Sequence, residues 1–142
     1  MRGRSLAGCV PILPDNRLCL ITSRHSPEDL LFPKGSVKHG ETDVDAAKRE
    51  TQEEAGVEGR IVGDLGLFEG VHWFILRVDK IHDWWPEMQE RARLFVGTLT
   101  CLVFFTFCGV DGPDEALMRD DLKPVAHSAI SQLIHGMFNL AP

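Results

Sequence analysis

Apolar and polar positions fall into short runs over the first third of the chain. Residues 6–12 and 17–23 are apolar and partly β-branched, and Pro14-Asp15-Asn16 between them is suited to a turn, so the pair predicts a β-hairpin. Residues 30–33 form a third extended piece, kept out of helix by Pro33, and lead into a loop bounded by Gly35 and Gly40. Helical spacing then begins after Thr42-Asp43, either of which can cap a first turn. It runs to Ala55, with Gly56 placed to end it in a left-handed conformation. Residues 61–68 and 71–78 alternate as strands, and residues 84–93 read as a short helix or an extended turn carrying charge. The most apolar stretch, 99–110, is well short of the roughly 20 residues a membrane span needs and reads as a buried strand. From 114 to about 138 a second helical pattern, interrupted near Pro124, repeats through Ala126, Ile130, Leu133 and Ile134. This order of strands and helices predicts an α/β fold, a mixed sheet with helices packed on it. A single domain over residues 1–142 is the expectation at this length.

Charge changes the picture of partners. The formal net charge is −6 and the pI near 5.4, which argues against a chain built to coat nucleic acid or an anionic membrane. An anionic ligand must then be met by local basic residues. Cys9, Cys19, Cys101 and Cys108 show neither CxxC pairs nor histidines at zinc spacing, so buried free thiols are expected. Without a signal-peptide pattern at the start, a cytosolic or nuclear compartment is the expectation.

The predicted helix places Glu50, Glu53, Glu54 and Val57 at spacings of three and four, so three carboxylates project from one face. Like charges at this spacing repel, by a few tenths of a kcal/mol per pair, and Arg49 offsets only part of that. A cation among them would remove the conflict. Hard carboxylate oxygens without histidine or cysteine suit Mg²⁺ or Mn²⁺ better than zinc or copper. Gly35, lacking a side chain, lets its carbonyl approach an ion, and Glu41 near the helix start can brace the loop through backbone N–H groups.

Taken whole, GSVKHGETDVDAAKRETQEEAGV reads as glycine, five residues, glutamate, seven residues, Arg-Glu, two residues, Glu-Glu, one residue, glycine and an apolar residue. This is similar to the signature of the Nudix hydrolases at every specified position except Thr51, which stands where an aliphatic residue is usual. The resemblance implies an α/β/α sandwich with a mixed sheet and the signature as a loop–helix–loop. It implies that Glu50, Glu54 and the Gly35 carbonyl hold Mg²⁺ or Mn²⁺, that Glu53 takes a proton from the attacking water, and that Arg49 orients the glutamates. Members of the family differ in which glutamate serves as base.

Outside that signature, Arg4 with Ala7-Gly8-Cys9, Ile21-Thr22-Ser23-Arg24, Phe32-Pro33-Lys34-Gly35 and Trp85-Pro86-Glu87 with Arg91 and Arg93 resemble diphosphoinositol polyphosphate phosphohydrolases, especially the fungal type. Such enzymes also cut diadenosine polyphosphates. The resemblance implies a small, highly phosphorylated substrate held by Arg4, Ser23, Arg24, Lys34, Lys38, Arg91 and Arg93. Trp84 and Trp85 are expected to pack in the core or at its rim, and His39 and His72 to be structural or solvated.

Two segments depart from the family. Its members carry a longer excursion where this chain passes directly from Gly70 to Val71, and residues 97–112, with Phe104, Phe105 and Phe107, do not match the acidic helix start expected there. A shortened sheet would expose an apolar edge. The alternative to an enzyme is therefore a Nudix scaffold that binds a phosphorylated ligand or a protein partner without turnover.

Overall fold

The computed structural model describes residues 5–98 together with Val125, Ser128 and Ala129. Seven strands, β1 (Leu6–Ile12), β2 (Leu18–Thr22), β3 (Leu30–Leu31), β4 (Lys34–Ser36), β5 (Val57–Phe68), β6 (Val71–Ile81) and β7 (Arg93–Val96), form one sheet, with helix α1 (Asp43–Ala55) packed on it. The path runs β3-β2-β1-β6-β5, with β4 paired to β1 and β7 paired to β2. Among the described strands only β1 and β6 are parallel, along Leu6–Val71 to Ile12–Arg77, so the sheet is mixed as expected.

The expected β1–β2 hairpin turns at residues 14–16, where Asn16 takes a φ of 69° and the Leu13 N–H donates to the Arg17 carbonyl. Central β6 is buried continuously from Trp73 to Leu76, the pattern of a strand covered on both faces. Ala46 and Ala47 give α1 a flat, fully buried face toward the sheet. Val125 and Ala129, both helical, join the same core. With Ser128 they fall within the expected second helix, whose remaining residues, like the expected strand 99–110, lie outside the described residues. Among the described residues no helix is long and apolar enough to cross a membrane.

Three boundaries differ from expectation. Residues 34–36, read as loop, form β4, because Ser36, Gly35 and Lys34 complete the backbone pairing of Leu6, Ala7 and Gly8. Val57, read on the helix face, instead opens β5, since Gly56 at φ 66° turns the chain directly into the strand. β5 also starts earlier than expected, because the register shift at Glu58/Gly59 breaks the alternation by which a strand is recognised. Strand β7 was not anticipated; in the segment before it, residues 86–90 are turn, the second of the two readings offered for residues 84–93, and Arg93 already belongs to β7.

Cys9 and Cys19 are fully buried, and burial pushes both thiols up to about 12, so both are inert as nucleophiles.

Candidate active site

Helix α1 is closed at both ends by the residues its sequence nominates. The Thr42 hydroxyl accepts from the Asp45 N–H, and the Gly56 N–H donates to the Gln52 carbonyl. Thr51 tolerates its apolar position because its hydroxyl donates to the Ala47 carbonyl at 2.7 Å.

Along one side of α1 lies a cluster organised by Arg49. Its Nε and Nη2 donate to Glu41 at 2.8 and 3.0 Å, Nη1 donates to Glu50 at 2.8 Å and Glu53 at 3.3 Å, and Nη2 also reaches the Ser36 carbonyl at 2.9 Å. Loop and helix are thereby joined through one guanidinium. The Arg49 hydrogen bonds, with the Lys38 N–H, lower Glu41 to about 2, so it stays ionised across the physiological range. The brace expected of Glu41 is this bond from Lys38 at 2.8 Å together with Arg49.

Glu54 is the buried member. Burial pushes it up to about 8, against the opposing pull of Arg91 and the Lys34 N–H, which donates to it at 3.2 Å. Glu53 is the most open, with 37% of its side chain exposed. Gly35 lies so close to Glu50 that a Cβ there would fall 2.2 Å from the carboxylate carbon, so the glycine is what admits that side chain. The donor set, carboxylates beside an uncovered backbone, fits a hard divalent cation. With Arg49 taking up the carboxylates, no three His, Cys, Asp or Glu side chains among the described residues are gathered as a preformed cage.

Beside Glu54 opens a cavity of about 150 Å³. Ser23, Arg24 and His25 from the end of β2, Lys34 of β4 and Arg91 line it with Glu54, over a floor of Leu31 and Phe32. Four of the expected ligand-binding residues, Ser23, Arg24, Lys34 and Arg91, thus meet one of the expected metal ligands in one place. His25 was missed; no spacing in the sequence connects it to the rest. Arg91 is only 10% exposed and is fixed by the Thr22 carbonyl at 3.0 Å, Glu87 at 3.1 Å and Glu54 at 3.7 Å. A larger cavity of about 390 Å³ lies between Lys48, Arg49, Gln52, Glu58 and Asp79; Arg49 borders it, but Glu50, Glu53 and Glu54 do not.

Two other expected binding residues, Arg93 and Lys38, are not among those lining the smaller cavity. Arg93 Nη1 donates to the carbonyls of Ala55, Gly56 and His82, and its guanidinium stacks 4.1 Å from the Trp85 ring centre. It caps the C-terminus of α1, whose last turn has no basic residue of its own. Lys38 is exposed on the loop, and Arg4 lies outside the described residues. Trp85 is buried as expected, whereas Trp84 is 70% exposed. His72 is structural: Nδ1 and Nε2 each lie 2.8 Å from a carboxylate, of Asp43 and Asp64 respectively.

The model of the NUDIX domain family matches residues 3–126. The chain is 32% identical over 109 residues to the chloroplastic Nudix hydrolase 21 of Arabidopsis thaliana, covering 66% of this chain and 55% of that protein. It is 30% identical over 96 residues to diphosphoinositol polyphosphate phosphohydrolase 2 of Rattus norvegicus, covering 63% and 54%. Thus it spans just over half the length of these relatives. Among solved structures, a C. elegans Ap4A hydrolase binary complex superposes with a TM-score of 0.67 over 92% of this chain and 98% of the other, at 18% identity, a likeness of fold. With a signature helix of the expected geometry inside a matched span that takes in most of its length, the chain belongs to the NUDIX domain family.

Proposed function

We propose that this chain hydrolyses a phosphate–phosphate bond in a small polyphosphate, with diphosphoinositol polyphosphates preferred and diadenosine polyphosphates also accepted. The observation that carries the reading is the cavity in which Arg24, Lys34 and Arg91 face Glu54, at the edge of the Arg49-organised glutamate cluster. Fixed cations beside a carboxylate set are what a heavily charged phosphate chain and its counter-cation both need.

In this reading Glu50, Glu54 and the Gly35 carbonyl would hold Mg²⁺ or Mn²⁺. Such a cation, when bound, neutralises phosphate charge and lowers the pKa of a coordinated water. Glu53 has the exposure and the weakest hold from Arg49 that suit a group accepting a proton from the attacking water. Arg49 keeps Glu50 and Glu53 from turning away. Arg24, Lys34 and Arg91 hold phosphate oxygens, with Ser23 as a neutral donor, and the Leu31–Phe32 floor keeps water from that side.

The test is phosphate release from a diphosphoinositol polyphosphate and from a diadenosine polyphosphate, each with Mg²⁺ and with a chelator. Release that needs the cation is the expected result, and Glu53→Gln should lower it by about 10²- to 10⁴-fold while leaving ligand binding intact. The second reading, a binding-only scaffold, draws on the two-residue Glu69-Gly70 turn that stands in place of a longer excursion. Metal-dependent binding by a folded protein without release would favour it.

A further inference from the structure

Two carboxylates in the segment between β6 and β7 face the arginines of the cavity. Glu87 Oε1 lies 3.1 Å from Arg91 Nε and 3.7 Å from Arg24 Nη1, so one oxygen serves guanidiniums from two distant segments. Its side chain is mostly buried, and its backbone N–H donates to the Glu53 carbonyl at 3.1 Å, which ties this segment to α1. Glu90 is placed differently. It accepts from the same Arg24 Nη1 at 3.1 Å, and both side chains of that pair are about half exposed, 48% and 51%.

The physical chemistry of the two pairs separates them. An exposed ion pair is worth only about 0–1 kcal/mol, so a phosphate oxygen arriving at Arg24 can take the place of Glu90 at little cost. A mostly buried carboxylate shared by two guanidiniums is harder to remove, because each partner would be left with an unsatisfied donor. Before any ligand enters, the positive charges of Arg24 and Arg91 are already faced by the negative charges of Glu87 and Glu90.

We propose that Glu90 is a displaceable internal counterion, exchanged at Arg24 for a phosphate of the ligand, and that Glu87 is a positioning residue that aims Arg24 and Arg91 at the cavity. The proposal rests on the reading of this cavity as the polyphosphate site. It predicts opposite signs for two isosteric changes only three residues apart. Removing the charge of Glu90 unmasks Arg24, whereas removing that of Glu87 releases two arginines from their geometry.

Binding of inorganic tripolyphosphate and of inositol hexakisphosphate to the purified chain, followed by calorimetry at low and at physiological salt, tests this. Glu90→Gln is expected to tighten binding by up to about fivefold, the equivalent of one exposed pair, and to steepen the salt dependence. Glu87→Gln is expected to weaken binding by about tenfold, as a lost charge-assisted hydrogen bond would. In an Arg24→Ala background, Glu90→Gln should have no further effect. Unchanged or weaker binding in Glu90→Gln would overturn the counterion role, and tighter binding in Glu87→Gln would overturn the positioning role. Should Arg24→Ala itself leave binding of both probes unchanged, the cavity reading fails. Should it weaken binding while Glu90→Gln changes nothing, only the counterion fails. Glu90 is exposed, so its variant keeps the test alive if Glu87→Gln does not fold.

Discussion

Helix α1 with its preceding loop and the β5–β6 hairpin solve opposite problems. The helix gathers like charges in a small volume, and its order comes from many directed bonds: the Thr42 and Gly56 caps, and Arg49 reaching Glu41, Glu50, Glu53 and the Ser36 carbonyl. The hairpin is long, and its polar contacts, such as His72 with Asp64 and Arg77 with Asn16, are spread along it rather than gathered on one group. Its order comes from the ladder to β6, burial of Trp73 to Leu76 and a tight turn at Glu69-Gly70, where both residues have positive φ. A directed network tolerates loss of fit as loss of function, because flexible side chains can move aside. A backbone ladder has no such slack, and misfit there becomes loss of fold.

Adding one methyl group to each region should break the comparison most sharply. At Gly59 a Cβ would sit 1.9 Å from the Arg77 carbonyl oxygen, so Gly59→Ala is expected to cost about 3 kcal/mol in denaturant unfolding. At Gly35 the clash is with the end of the Glu50 side chain and not with backbone, so Gly35→Ala should leave stability nearly intact while lowering metal-dependent turnover by about 10- to 100-fold. Equal losses of stability in the two variants would erase the distinction.

A smaller effect separates the arginines. Arg93→Ala removes three bonds to carbonyls and a stack on Trp85, and should destabilise by about 2 kcal/mol with the KM for a polyphosphate unchanged in the fraction still folded. A raised KM without loss of stability would return Arg93 to the binding set.

Smaller still is the link between the two regions, His72, which joins Asp43 at the start of α1 to Asp64 of β5. Partial burial opposes charge on the ring, but the two carboxylates outweigh it and its pKa is raised above 6.5. The resulting stabilisation is complete below that ordinary value and is lost as pH rises through the higher folded-state value. Both aspartates are well exposed, so less than about 1 kcal/mol is at stake. Unfolding at a series of pH values should show this decline in the wild type and not in His72→Gln. Least of all should Leu67→Lys matter to stability: at 75% exposure on β5, the end strand of the described path, its change belongs within about 0.5 kcal/mol while aggregation falls. A large stability loss would mean that Leu67 is covered in solution.

How legible each part was depended on how far its causes reach along the chain. The helix could be read because Thr42, Ala46, Ala47, Ala55 and Gly56 act within one or two turns of each other. Four-residue β7 could not, because nothing local distinguishes Arg93–Val96 until Leu18–Ile21 pairs with it. The start of β5 was hidden by the register shift at Glu58/Gly59, which interrupts the alternation there. His72 looked isolated because its two carboxylates are 29 and 8 residues away. Arg91 and Arg93, two residues apart, looked equivalent; Arg91, in the turn segment before β7, reaches Thr22 and Glu54, while Arg93, the first residue of β7, reaches the end of α1.

By itself, then, the sequence determined the chemistry available: three carboxylates and an arginine on one helix, glycines where a side chain would intrude, and scattered basic residues. Periodicity, caps and glycine conformations are short-range properties, so they survive without knowledge of the fold. The tertiary structure alone decided which basic residues meet the glutamates, which one caps a helix, and which carboxylates already face the arginines. Those choices depend on where strands from distant segments pair, and such long-range pairing is an outcome of burial and hydrogen-bond satisfaction summed over the whole chain.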